Sequence, residues 1–493
     1  MIQNPTPEQD RIFLFTKKRP ENLLIRARAG TGKTSTAIEC AKLLPKDKNI
    51  TFLAFNKHIQ EELKTKLPDH IRCYTTYGLG VSAIKRKYGD SIQFDEFKAD
   101  KLIQKKAKNW KLNDEMTEED IFHYLTNIKK LVNLCRLTLT LKPEYIPYIA
   151  DRYDIPLNKP KDIKRVLKIL DVMTTDRKTY DYTDMIFLPA IDNGIWFFPQ
   201  DFVFLDEIQD LNRCQIRIIE KVLKRNRTTK KIEGRLFSFG DDSQGIYGFN
   251  AADDKSFQWF EKYPNSKVLP LTTSFRCSQA VIRKAQEIVP EIKALPDAPE
   301  GSVRDGNVLE EAKSGDFVLC RTTMPLIKLF FEFLTQRKKA IIKGSDIGVH
   351  LIELIGSVKN IEKLISFWEA ELNTYRNDLK REGILNPSEH SGYATLEDKV
   401  TTLLFLARLS DSILDLKYKI KSIFTDEIQG IVLSTVHKIK GLEADRVFII
   451  RPDLLPMQTS KPWQYIQEKN LEYVAYTRAK HDLIFDRNWT DES

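Results

Sequence analysis

The chain has 493 residues, 42% of them hydrophobic and 30% charged, which describes a folded globular protein of roughly two to four domains and excludes a disordered or fibrous one. No apolar run approaches the ~18 residues of a membrane span, and the polar start Met1 to Arg11 does not read as a signal peptide. A cytoplasmic protein, or a nuclear one in a eukaryote, that is not secreted and meets no membrane is therefore expected.

A net charge of +9 is compatible with nucleic acid, but over this length it equally describes a solvated surface. The six cysteines, at 40, 73, 135, 214, 277 and 320, lie far apart with no CxxC pair. That pattern predicts reduced thiols and argues against zinc or iron–sulfur binding.

In chain order, Thr6-Pro7-Glu8 opens a helical stretch containing Ile12, Phe13 and Phe15, with good capping chemistry. Gln9 has two readings: a plain part of that helix start, or an amide whose donor and acceptor read an adenine edge. An apolar run, Leu23 to Ile25, leads into ARAGTGKT (Ala27–Thr34), and a helix-forming stretch, Ser35 to Leu44, follows. Strand, glycine loop and helix in that order are the context of a phosphate-binding loop. Gly30 and Gly32 let consecutive N–H groups converge on an anion at a helix N-terminus. Lys33 then reaches the β/γ-phosphates and the Thr34 hydroxyl ligates Mg²⁺, so Ala29, Gly30, Thr31, Gly32, Lys33 and Thr34 form the candidate nucleotide loop. Ala27 stands where the general pattern has its first glycine.

Next come an apolar strand, Ile50 to Phe55, ending in AFNK, a helix from His58 to Leu67, and a short run, Ile71 to Tyr74, before Thr75-Thr76-Tyr77-Gly78. Such alternation indicates a parallel α/β sheet. From 91 to 180 strands disappear, and Ile121, Tyr124, Leu125, Ile128, Leu131, Val132 and Cys135 recur at helical spacing, which reads as a helical insertion. The sheet pattern returns at Phe202 to Leu205 and ends in Asp206-Glu207. Two carboxylates at the C-terminal end of a strand sit where α/β sheets bind ligands. Asp206 can hold Mg²⁺ and Glu207 can take a proton from an attacking water. Further strands, Leu236 to Phe239 and Val268 to Leu271, run into GDDSQGIYGF and TTSFRCS. The basic cluster Lys221 to Lys231 reads as a solvated helix end and turn.

A second alternating region begins at Phe317 to Cys320 and resumes with strands at Ile431 to Thr435, Val447 to Ile450 and Leu483 to Phe485. Between them, 349–424 is helical. Ile361, Leu364, Ile365, Trp368, Leu372, Tyr375 and Leu379 mark one amphipathic helix, punctuated by Gly383 and Pro387 before another begins near Leu396.

The ordered set ARAGTGKT, LDEIQDLN, GDDSQGIYGF, TSFR, STVHKIKGLE and YVAYTRA resembles the UvrD/Rep/PcrA group of superfamily 1 helicases. AFNK and DLN are similar to its short members, which include the F-box helicases and phage enzymes. No F-box-like extension is expected before Gln9, and the fifteen residues after Arg478 leave no room for a fused nuclease.

The resemblance implies an α/β fold of two RecA-like P-loop domains with parallel sheets, ATP between them, and a single DNA strand across their top. It implies a first domain (1A) from 1–90 and 181–275, a helical insertion (1B) at 91–180, a second domain (2A) from 276–348 and 425–493, and a small helical insertion (2B) at 349–424. Carried over residue by residue, Gln9 reads adenine, Lys33 and Thr34 hold phosphate and Mg²⁺, Asp206 is the metal carboxylate and Glu207 the general base. Gln244 senses the γ-phosphate, and Arg276 and Arg478 stabilise charge during phosphoryl transfer. Phe275 stacks on adenine and Glu443 contacts the ribose. Phe55, Asn56, Tyr77, Phe249, Thr435 and His437 fall in motifs that line the DNA groove, where aromatic faces suit sequence-independent single-strand binding.

The family further implies 3′ to 5′ movement, with ATP and Mg²⁺ as cofactors. Its partners are single-stranded DNA, single/double-strand junctions, and replication or repair proteins. Phe249 replaces a common Trp, Asn250 a frequent Arg, and Tyr77 a usual His. The short second insertion leaves two alternatives open: a translocase that strips proteins without much unwinding, and a nucleotide-switched binding module.

Overall fold

The computed structural model describes residues 4–112, 116–157, 159–248, 251–252, 255–356, 358–381, 383–427, 429–459 and 461–490. Phe249 and Asn250 lie outside the described residues. The chain divides into two compact units: Met1–Ala27 with Gly32–Leu271, and Arg28–Thr31 with Thr272–Ser493.

In the first unit, α1 (Pro7–Lys18), β1 (Asn22–Ala27) and α2 (Lys33–Lys42) lead into β2 (Ile50–Ala54) and α3 (Lys57–Lys66). β3 (Arg72–Thr75) and α4 (Thr76–Tyr88) continue the alternation. The insertion follows, from β4 (Gln93–Phe94) through α5 (Lys98–Ala107), α6 (Glu118–Leu137), α7 (Ile146–Arg152) and α8 (Pro160–Thr175) to β5 (Thr179–Tyr180). After α9 (Asp184–Ile191), the sheet resumes with β6 (Phe202–Leu205), α10 (Arg213–Val222), β7 (Arg235–Gly240), α11 (Ser256–Glu261) and β8 (Ser266–Leu271).

The six strands β3-β2-β6-β7-β1-β8 form one parallel sheet. Every residue of β2 and of β7 is buried, as expected of strands covered on both faces. Phe52, Phe204 and Phe237 stack across the neighbouring strands β2, β6 and β7, with ring centroids 4.6 and 4.5 Å apart. Because β6, β7 and β1 are adjacent, the three segments that leave their carboxyl ends are brought side by side.

The stretch 91–180 is mostly helical but not free of strands, since β4 and β5 pair in parallel near its two ends. Between them the fold buries a charge cluster. Arg136, in the last turn of α6, reaches Asp181 at 2.5 Å and Asp184 at 2.6 Å, while Lys98 at the start of α5 reaches Asp184 at 2.7 Å. The basic run from Lys221 is the end of α10 and an exposed turn, although Lys221 itself donates to the carbonyls of Pro189 and Asp192.

In the second unit, β9 (Thr273–Ser274), α12 (Gln279–Gln286), β10 (Lys293–Ala294) and β11 (Ser302–Asp305) come first. α13 (Val308–Glu311), β12 (Phe317–Cys320), α14 (Met324–Thr335) and β13 (Ala340–Lys343) follow. The second helical stretch comprises α15 (Ser345–Ile355), α16 (Ile361–Arg381), α17 (Ser391–Arg408) and α18 (Ile413–Ile423). β14 (Phe424–Thr425), β15 (Ile431–Thr435), α19 (Val436–Ile439), β16 (Ala444–Ile450), α20 (Pro462–Tyr476) and β17 (Ala479–Asp486) complete the unit.

Its seven strands, β11-β17-β16-β12-β15-β13-β14, are again all parallel. α16 buries Leu364, Trp368, Leu372 and Leu379, one stripe at helical spacing, and the Trp368 indole donates to the Leu354 carbonyl. Among the described residues no helix is long and apolar enough to cross a membrane, and all six cysteines are free and buried.

Candidate functional site

In the first unit, three strand ends supply the chemistry. After β1, the chain turns through Gly32, which caps α2 in the left-handed region (φ 74°, ψ 33°) without a side-chain cap. No acidic residue stands in the first turn of α2. The helix start therefore presents backbone N–H groups and a positive dipole end to an anion.

Lys33 donates to Glu207 at 2.5 Å. Burial alone would lower the Lys33 pKa, but the carboxylates of Glu207 and then Asp206 outweigh it and hold the ammonium above the usual lysine range.

After β6, Asp206 accepts from the Glu207 N–H at 2.9 Å, and Glu207 adopts a left-handed backbone (φ 50°, ψ 45°). A non-glycine residue there stores strain, which turns its side chain out of the strand direction and toward Lys33. Thr34 and Asp206 are both half-buried and offer oxygen donors of the kind Mg²⁺ takes, so the residues present fit that ion. After β7, buried Gln244 donates to Asp241 at 2.7 Å.

Gln9 is buried at the start of α1 and uses both ends of its amide. Its Oε1 accepts from the Thr6 N–H in a capping box, and its Nε2 donates to the Thr36 hydroxyl at 3.0 Å. Thr36 in turn donates to the Gly32 carbonyl at 2.9 Å, so Gln9 is joined to the loop through one side chain.

In the second unit, the short segment 28–31 packs with the residues around β9. The Ala29 N–H donates to the Tyr473 hydroxyl at 3.0 Å, and the Phe275 N–H to the Gly30 carbonyl at 2.8 Å. Thr31 folds its hydroxyl back on the Arg28 carbonyl. Gly30 has φ of 71°, and a Cβ there would stand 2.6 Å from both the Arg276 Cβ and the Ser274 Oγ, so only glycine fits.

Arg276 pairs with Glu443 at 2.5 Å and donates to the Thr477 carbonyl at 3.1 Å. Arg478 is fully buried, and its guanidinium donates to the carbonyls of Val474 and Leu442 and to the Thr477 hydroxyl. Burial, and then the charge of Arg276, push its pKa down to about 9, which still leaves it protonated at neutral pH. Phe275 keeps an exposed ring. The structure thus brings Arg276, Arg478 and Glu443 together around Thr477. The sequence reading did not single out Thr477, and its only signal is its place directly before Arg478.

The candidate DNA residues are spread over both units. Phe55, half-buried, stacks on Tyr247 with centroids 6.0 Å apart and planes 18° from parallel. Tyr247 was not a sequence candidate, although it belongs to the same GIYGF run. Asn56 is exposed and caps α3 through the Ile59 N–H at 2.9 Å. Tyr77, at the start of α4, is half-buried, and burial, then Cys214, push its hydroxyl up to about 12.

In the second unit, buried Thr435 sits at the N-cap position of α19, and half-buried His437 is the second residue of that helix. Burial, then the charges of Arg321, Lys438 and Lys440, hold the His437 imidazole well below its ordinary value. It is neutral at physiological pH and offers a hydrogen bond rather than a charge. Phe249 lies outside the described residues.

Comparison with known proteins places this geometry. Residues 6–265 match the family model of the UvrD/REP helicase N-terminal domain, and residues 326–488 that of the UvrD-like helicase C-terminal domain. The F-box DNA helicase protein 1 of Schizosaccharomyces pombe is 26% identical over 98% of this chain and 57% of its own length. The F-box DNA helicase 1 of Gallus gallus is 24% identical over 98% of this chain and 49% of its own. The ATP-dependent DNA helicase PcrA of Bacillus subtilis is 25% identical over 54% of this chain and 37% of its own. The chain spans about half the length of the two F-box relatives.

Proposed function

This chain belongs to the UvrD/REP helicase family, and we propose that it is an ATP-dependent DNA helicase that moves 3′ to 5′ on single strands and opens duplex in DNA replication, repair or recombination. The observation that carries this reading is the gathering of Lys33, Asp206, Glu207 and Gln244 at the carboxyl ends of β1, β6 and β7, beside the uncapped start of α2.

An arriving nucleotide places its phosphates on the N–H groups of Ala29 to Thr34 and takes Lys33 from Glu207. The freed Glu207 carboxylate can then accept a proton from the attacking water. Thr34 and Asp206 would hold Mg²⁺, which when bound would neutralise charge on the nucleotide. Gln244 follows the γ-phosphate, Arg276 and Arg478 meet the charge that develops in transfer, and Phe275, Glu443 and Gln9 address the nucleoside. Phe55, Asn56, Tyr77, Phe249, Thr435 and His437 contact the strand, with single/double-strand junctions as the substrate.

On this reading 1–90 with 181–275 is domain 1A, 91–180 is 1B, 276–348 with 425–493 is 2A, and 349–424 is 2B. ATP hydrolysis measured with and without single-stranded DNA tests the motor, and a duplex with a 3′ tail against one with a 5′ tail tests its direction. DNA-stimulated turnover and opening of the 3′-tailed duplex alone are expected; a 5′ preference overturns the directional claim. The short second insertion, about 75 residues, favours one further reading, a translocase that clears proteins without much unwinding. Streptavidin displacement without strand displacement would select it.

A further inference from the structure

Gln209 lies two residues beyond Glu207, in the single turn Ile208–Asp210, and is buried. Its Nε2 donates to the Glu207 Oε2, the carboxylate oxygen that Lys33 does not take. Its Oε1 accepts from the Asp241 N–H at 3.1 Å. Asp241, fully buried, accepts on one oxygen from Gln244 at 2.7 Å and on the other from the Ser243 N–H at 3.1 Å.

The amide cannot be turned the other way round. A backbone N–H only donates, so the carbonyl end must face Asp241, which leaves the NH₂ end for the carboxylate. Space for this amide is made at residue 240: a Cβ on Gly240 would stand 2.6 Å from the Gln209 Oε1 and from the Ile208 Cγ1. The segments after β6 and after β7 therefore meet through one side chain, at a point where a Cβ on residue 240 would make the Gln209 amide or Ile208 shift.

We propose that Gln209 is a positioning residue for ATP hydrolysis, which orients the Glu207 carboxylate and ties it through Asp241 to Gln244. This rests on the assignment of Glu207 as base and Gln244 as γ-phosphate sensor. A shift of Gln244 on meeting the γ-phosphate moves Asp241, and Gln209 passes that movement to the carboxylate that must take the water's proton. The two orientations of Glu207, strained backbone on one side and Gln209 on the other, leave it little freedom to miss the water.

The test uses the full chain with single-stranded DNA in excess. Gln209→Met keeps the volume and removes both hydrogen bonds; Gln209→Glu keeps the acceptor for Asp241 but sets a second carboxylate against Glu207. Gln209→Met is expected to lower kcat by about ten- to a hundredfold with KM for ATP within about twofold. Gln209→Glu is expected to lower kcat at least as far as Gln209→Met, because the new carboxylate repels Glu207 instead of donating to it, again with KM for ATP within about twofold. Gln209→Met combined with Gln244→Ala should fall short of the sum of the single effects.

Wild-type kcat in Gln209→Met or Gln209→Glu, or a Gln209→Met loss confined to KM or paralleled by a collapse of Tm, overturns the proposal. Wild-type chain that hydrolyses no ATP would overturn the functional reading instead, so the two failures are separable.

Discussion

Lys33 in the first unit and Arg478 in the second are both cations that the fold withdraws from water, and the two units balance them in opposite ways. Lys33 has a carboxylate partner at 2.5 Å and a second carboxylate behind it. Arg478 gives its N–H groups to neutral oxygens of Val474, Leu442 and Thr477, with the positive charge of Arg276 nearby. The first arrangement is electrostatically complete before any ligand arrives, so a phosphate must compete for the ammonium. The second holds a charge whose burial is only partly offset, so an anion relieves it. On the proposed function, the first unit releases its cation to the nucleotide and the second meets charge as it develops.

The largest expected effect separates the two cations by what they lose. Lys33→Ala should lose hydrolysis together with nucleotide affinity, whereas Arg478→Ala should keep affinity within a few-fold and lose about three to five orders of magnitude in rate. Nucleotide binding by fluorescence titration beside steady-state ATPase reads both, and equal losses of affinity would erase the distinction.

A smaller effect concerns Arg276, which the second unit treats as the first treats Lys33, with a carboxylate at 2.5 Å. If Glu443 competes with phosphate for that guanidinium, Glu443→Gln should lower KM for ATP by about two- to fivefold, the range of a partly exposed pair. The ribose contact implied by the family predicts the opposite sign, so a rise in KM returns Glu443 to that part.

The smallest effect is on pH. The folded-state pKa of Lys33 is raised, so its pairing is fully present below the ordinary lysine range and is lost as pH climbs through the raised value. Melting temperatures above pH ~10 should therefore fall more steeply for wild type than for Lys33→Met; parallel curves would mean that the pair stores no net stability.

Much of the first unit was legible because its chemistry is contiguous. A loop that must wrap a phosphate needs its glycines, Lys33 and Thr34 in one run, and an apolar strand ending in Asp206-Glu207 states both the strand and its ligand end. The order of the strands was not legible, since β7 comes to lie between β6 and β1, and β1 and β7 become neighbours across more than two hundred residues of sequence. For the same reason Gln209, Tyr247 and Thr477 escaped notice: each acts through a contact that no local pattern announces. β4 and β5 were missed because two residues cannot display an alternation. Gln9 shows the limit from the other side. A capping box and an adenine-reading amide ask for the same residue at the same place, so the sequence cannot separate them, and the structure adds the hydrogen bonds to Thr6 and Thr36.

The pairing of β4 with β5, and the cluster of Lys98, Arg136, Asp181 and Asp184 beside it, fasten the entry and exit of the helical stretch 91–180 to each other. Whatever lies between those two points hangs from a closed clasp, and its length does not alter the distance the sheet must span. Each doubling of such a closed segment costs only about 0.6 kcal/mol in chain entropy. Over evolutionary time the helices between 98 and 176 are therefore free to grow, shrink or be exchanged for another module while the sheet stays as it is. The four charges at the clasp are not free in this way, since loss of Arg136 alone would take from buried Asp181 its ion-pair partner and leave buried Asp184 with Lys98 alone. In a lineage of such proteins, variation should gather inside the loop and stop at its fastening.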